Sequence, residues 1–129
     1  MTAVLVDTSV WRKYFSGRAP PDAGRMLDEL LDEEGLVLIH SAVIGELLLG
    51  GLPAREELLL QRLPSGPEVS TPELHAFIRF RKLARRGLGW VDCQLLASAL
   101  LASASLWSFD RELTAAAADL KIAFPQTRT

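Results

Sequence analysis

The sequence predicts an α/β fold: three layers, α/β/α, around a central, mostly parallel sheet of four to five strands. Two observations carry this. Short apolar runs alternate along the chain with longer amphipathic stretches, the pattern of strands joined by crossover helices. The chain has 129 residues, 49% of them hydrophobic and 23% charged, which suits one domain, 1–129, with a core of its own. It contains no internal repeat and no low-complexity tract.

Taken in order, Ala3–Val6 reads as the first strand. Pro21–Glu34 reads as a helix with an apolar stripe of Ala23, Met26, Leu27, Leu30 and Leu31, and Gly35 follows as its stop. Leu36–Ile39 is a second strand. Ser41 then caps a helix that runs to Gly50-Gly51, and Pro53–Leu63 is another, closed by Pro64-Ser65-Gly66-Pro67. Glu68–Ser70 reads as a short third strand. Thr71-Pro72 supplies an N-cap and a proline in the first turn of a helix that reaches about Arg86, where Gly87 ends it. Trp90–Ala104 is a helix, Leu106-Trp107 a strand, Asp110–Ala118 a helix, and Ile122–Phe124 a last strand.

Composition narrows the possible functions. No apolar run is long enough to span a bilayer. The opening Met-Thr-Ala-Val-Leu-Val-Asp has no basic stretch and meets an acid at once, unlike a signal peptide. Cys93 is the sole cysteine, so an internal disulfide is excluded and a reducing cytoplasm is expected. The net charge of −2 counts against a nucleic-acid partner. Divalent cations on some of the carboxylates would weaken that argument by leaving basic residues to dominate one face.

Four acids stand out. Asp7 directly follows the first strand, and Asp110 follows the Leu106-Trp107 strand by about two residues. Ligands of open parallel sheets bind beyond the C-terminal strand ends, so both acids fall on one edge. Glu46 has Ala42, Val43, Leu49 and Gly50 as its helical neighbours, and Asp92 has Leu95, Leu96 and Ala99. Solvated helix faces are not lined this way, and an inward carboxylate is costly unless paired or metal-bound. Taken singly, the three aspartates each have a plainer explanation. Asp7 suits a turn, Asp92 the positive end of a helix dipole, and Asp110 an N-cap. Together they form an oxygen-only set suited to Mg²⁺ or Mn²⁺. His40, at a strand end, and His75, in a helix's first turn, lie outside any zinc-like spacing and read as structural or surface residues.

Val4-Leu5-Val6-Asp7-Thr8-Ser9-Val10-Trp11 resembles the opening of PIN domains, especially the VapC-type toxins of bacterial toxin–antitoxin pairs. Ile44-Gly45-Glu46-Leu47 resembles the family's helical Glu motif. Trp90-Val91-Asp92-Cys93-Gln94-Leu95-Leu96-Ala97 resembles its third acidic motif, and Leu106-Trp107-Ser108-Phe109-Asp110-Arg111-Glu112-Leu113 its fourth. The motifs occur in order across almost the whole chain. The resemblance implies a PIN-like fold, Mg²⁺ or Mn²⁺ at Asp7, Glu46, Asp92 and Asp110, endoribonuclease activity, and Thr8, Ser9 and Ser108 as hydroxyls lining the metal pocket. Those hydroxyls also suit turns and helix caps. It further implies a homodimer and an antitoxin that blocks the site. Gly87-Leu88-Gly89-Trp90 departs from the polar or Pro-containing loop that such toxins often carry before the third acid.

The expected chemistry is metal-assisted phosphodiester hydrolysis. Asp7 and Asp92 are expected as direct ligands, with Glu46 and Asp110 as direct or water-mediated ones. Arg79, Arg81, Lys82, Arg85 and Arg86 crowd one predicted helix, and Arg12 and Lys13 follow the first motif. Arg85, Arg86, Arg12 and Lys13 are the expected contacts to RNA phosphates, and a solvated face is the alternative. The consecutive trios Leu47–Leu49 and Leu58–Leu60 cannot each turn inward from one helix face, which points to a protein partner. A second contact inside the monomer is the alternative. A PIN nuclease in RNA processing or acting on DNA is the competing assignment. An Asp-nucleophile phosphohydrolase usually carries a second Asp where Ser9 stands, and a catalytically dead binding module would not need all four acids.

Overall fold

The computed structural model describes residues 2–125. The order of elements is β1 (Val4–Val6), α1 (Thr8–Phe15), α2 (Pro21–Asp32), β2 (Val37–Leu38), α3 (Ser41–Leu49), α4 (Ala54–Gln61), α5 (Thr71–Phe80), α6 (Trp90–Leu101), β3 (Ser105–Trp107) and α7 (Arg111–Asp119). The sheet is parallel, in the order β2-β1-β3. Central β1 is wholly buried. Leu5, Val6, Leu27, Val43, Leu60, Leu95, Leu96 and Leu113 join β1 to α2, α3, α4, α6 and α7 in one core.

The sheet has three strands, not four or five. Glu68–Ser70 forms no strand, and Ser65 instead makes a single parallel bridge to Ile39. Pro64 and Pro67 flank that bridge and have no N–H to continue a ladder. At the other edge the Ile122–Phe124 segment also contributes one bridge, Ala123 to Leu106.

The sequence reading missed α1. Its Val10, Trp11, Tyr14 and Phe15 share a face that packs on the core, with Trp11 stacked on Phe15 at 5.5 Å between ring centroids. The predicted helix to Arg86 ends at Phe80. Lys82 takes a left-handed φ of 56°, Leu83 N–H donates to Ile78 C=O, and Leu83 is buried. This is a C-terminal cap in which a lysine stands where glycine is usual. Arg81, Lys82, Arg85 and Arg86 therefore lie beyond the helix, in a turn-rich connection. Two caps sit one residue earlier than predicted. His40, through Nδ1, caps α3, and Ser70 caps α5.

Candidate metal centre

The register of β1 and β3 pairs Val6 with Trp107, so Asp7 and Ser108 emerge side by side at the C-terminal sheet edge. Asp7 is buried, and its Oδ2 accepts hydrogen bonds from Ser9 Oγ (2.7 Å) and Ser108 Oγ (2.8 Å). Each hydroxyl also accepts a backbone N–H at 2.9 Å, Ser9 from Phe109 and Ser108 from Asp110. The two serines thereby fasten Asp7 to the loop that carries Asp110. Asp110 caps α7, its Oδ1 accepting from Leu113 N–H at 2.9 Å.

Glu46, in the body of α3, accepts at Oε1 from Thr8 Oγ1 at 2.6 Å. Asp92, in the first turn of α6, accepts at Oδ2 from Gly89 N–H at 2.8 Å. Every one of the four carboxylates is thus pinned through one oxygen, while the other has no hydrogen-bond partner among the described residues. Burial raises the Asp92 pKa, opposed by the Gly89 bond, and the charges of Asp7, Asp110 and Glu46 push it further up. Among the described residues no three or more His, Cys, Asp or Glu side chains are grouped closely enough to hold a metal ion as they stand. Asp7 is buried and Asp110 is exposed.

The PIN-domain profile matches residues 4–119, a span that contains all four acids. The chain belongs to the PIN-domain family. Within it this PIN domain is of the VapC type: it is 40% identical over 128 residues to Ribonuclease VapC32 of Mycobacterium tuberculosis, in the CDC 1551 and H37Rv strains alike, covering 95% of this chain and 97% of the relative. Its fold is also that of FitAcB from Neisseria gonorrhoeae (TM-score 0.64, 19% identity, 93% of this chain and 94% of that one). A toxin–antitoxin complex from Klebsiella pneumoniae shares it too (TM-score 0.63, 18% identity, 84% and 87%).

The basic residues divide. Arg12 and Lys13 are exposed on α1, with Lys13 Nζ 5.7 Å from the centroid of the Phe109 ring beside Asp110. Arg85 is exposed, whereas Arg86 pairs with Asp119 at 2.6 Å on α7. Of the two histidines, His40 is buried, with Nδ1 accepting from Ala42 N–H and Nε2 3.2 Å from Glu68. The leucine trios split. Leu47 and Leu60 turn into the core, while Leu48, Leu49, Leu58 and Leu59 stay exposed, Leu49 at 92%. No helix among the described residues is long and apolar enough to cross a membrane. Cys93 is buried, which pushes its thiol pKa up and leaves it unsuited to nucleophilic work. Sequence reasoning assigned no role to Gly89 N–H, since a backbone donor leaves no mark on residue type.

Proposed function

We propose that this PIN domain is a Mg²⁺- or Mn²⁺-dependent endoribonuclease, the toxin of a toxin–antitoxin pair, acting in the cytoplasm as a single domain. What supports the proposal is that the charges of Asp7, Asp110 and Glu46 all act on Asp92, and that each of the four carboxylates is held by a protein donor through one oxygen. Oxygen-only donors of this kind fit a hard divalent cation. The relatives, a ribonuclease at 40% identity and a toxin–antitoxin complex of the same fold, favour the RNA substrate and the antitoxin partner.

Asp7 and Asp92 would hold the cation directly, and Glu46 and Asp110 directly or through water. When bound, the cation supplies Lewis-acid chemistry, offsetting charge on the scissile phosphate and acidifying the attacking water. The chain's own part is to fix the carboxylates before substrate arrives. Thr8, Ser9 and Ser108 lock three of the side-chain and loop positions, so little reorganisation is left for the moment of reaction. Water adds to phosphorus, the P–O3′ bond breaks and the 3′ oxygen takes a proton, leaving a 5′-phosphate and a 3′-hydroxyl. Arg12, Lys13 and Arg85 would contact RNA phosphates. Arg86 would do so only by exchanging its bond to Asp119.

The exposed Leu48, Leu49, Leu58 and Leu59 would contact a second copy of the chain and the antitoxin. The test is cleavage of cellular RNA with and without EDTA, with mapping of the new ends. Metal-dependent cuts bearing 5′-phosphates are expected, and cutting that persists in EDTA would overturn the proposal.

A further inference from the structure

Trp90 is half exposed, at 48%, although the chain buries its other two tryptophans, Trp11 and Trp107. It is the first residue of α6, in the same helical turn as Asp92. The rise of an α-helix puts their Cα atoms only about 5 Å apart. The indole meets the ring of exposed His75 edge to face, with centroids 5.7 Å apart at 63°. Such a contact engages one face of one ring and leaves aromatic surface open to solvent.

His75 also borders an open groove of about 570 Å³ lined by Ile78, Arg79, Lys82 and Ala84. That volume falls in the range of small-ligand sites. Its two cations have no carboxylate partner among the described residues, where the ion pairs are Arg25–Asp22, His40–Glu68 and Arg86–Asp119. Exposed aromatic surface running into unpaired positive charge is the surface chemistry that holds single-stranded nucleic acid: bases stack on the rings and phosphates meet the cations.

We infer that Trp90 and His75 form a stacking platform for a base of single-stranded RNA flanking the scissile phosphate, with Arg79 and Lys82 contacting the backbone beyond it. The inference rests on the ribonuclease proposal and adds to it where the strand runs and which residue selects an unpaired base. Helix formation does not explain the indole, because the first helical position needs no aromatic side chain. The loop before Asp92 ends in Trp90, so the strand would leave the acids over the α5–α6 side of the molecule.

The test needs the full chain, Mn²⁺ and short single-stranded oligoribonucleotides. Because Trp11 and Trp107 are buried, quenching of tryptophan fluorescence by RNA reports on Trp90. Quenching is expected with intact RNA and is expected to fall when the stacked nucleotide is made abasic. Trp90→Ala should raise KM about tenfold with kcat little changed, and Trp90→Phe should keep most of the affinity. The melting shift induced by Mn²⁺ should match the wild type in both variants. An unchanged KM with no quenching overturns the platform while leaving the ribonuclease proposal standing. A fall in kcat alone also overturns it, because Trp90 would then act through the start of α6. Loss of dimerisation with normal RNA affinity assigns Trp90 to a contact between copies instead. A wild type that neither binds nor cuts RNA removes both proposals.

Discussion

Thr8 Oγ1 donates a 2.6 Å hydrogen bond to Glu46 across 38 residues of chain, tying the first turn of α1 to the middle of α3. The bond sets which Glu46 oxygen is engaged and which is spare. Thr8→Val keeps the shape and removes the donor. It should weaken Mn²⁺ binding about 10–100-fold, the usual effect of removing a group that orients a metal-holding side chain. Isothermal titration with Mn²⁺ would show it, and unchanged affinity would mean that Glu46 lies outside the site.

Asp7→Asn and Asp92→Asn should each abolish metal-dependent RNA cleavage while the domain stays folded. An amide oxygen still accepts the bonds now made by Ser9, Ser108 and Gly89, so the architecture survives the loss of charge. Circular dichroism paired with a cleavage assay separates the two effects. Normal cleavage by either variant would end its assignment.

Metal-free Asp92 is held at a cost, because burial and the charges of Asp7, Asp110 and Glu46 raise its pKa above 3.8. A raised folded-state pKa means the native state binds the proton more tightly than the unfolded chain, so stability is lost as pH rises through that pKa. In EDTA, Asp92→Asn should therefore melt above the wild type at neutral pH, and the difference should shrink on acidification. It should also gain less from Mn²⁺, which stabilises a native-only binder by about 2.7 kcal/mol at a hundredfold excess over Kd. A lower melting temperature in EDTA with an unchanged metal response would make Asp92 a helix-dipole residue only.

His40 titrates in the opposite sense. Burial lowers its pKa below 6.5, and Glu68 only partly opposes this. A lowered histidine pKa means stability is lost as pH falls through the unfolded value near 6.5, and a proton on Nδ1 would also break the cap on Ala42. His40→Asn keeps a capping side chain without the titration. It should melt lower than wild type near neutrality but with a flatter pH profile, and parallel profiles would refute the role.

A Cβ added at Gly66 would sit 2.8 Å from Ser98 Oγ, a buried hydroxyl with no partner among the described residues. Gly66→Ala should cost about 1–3 kcal/mol by overpacking. Ser98→Ala should be neutral or stabilising, because it removes an unsatisfied polar atom worth about 1–3 kcal/mol. The double variant should recover much of the Gly66→Ala loss. Additive urea denaturation energies would show that the two sites do not touch.

In the sequence the acids stood out by placement: Glu46 and Asp92 sat among apolar helical neighbours, and Asp7 and Asp110 closely followed strands. Features that depend on distant partners were not. Asp119 lies 33 residues from Arg86, and nothing near either residue announces the pair. The end of α5 was hidden because Lys82, not glycine, takes the left-handed turn, at the demand of buried Leu83. Helix α1 was hidden by its brevity and by a first turn of Thr8 and Ser9, which reads equally well as a loop. The pairing beside Ile39 was cut to one bridge by the prolines on either side of Ser65, which the sequence did display.

The division of labour within each carboxylate, one oxygen for the protein and one to spare, bears on how such a chain decays. An Asp-to-Asn change at 7, 92 or 110 needs a single nucleotide substitution and leaves the acceptor that the backbone or a serine relies on. Chemistry and architecture are therefore separable by the smallest genetic step. Descendants silenced in this way would go on folding, and would retain every surface by which a partner knows them.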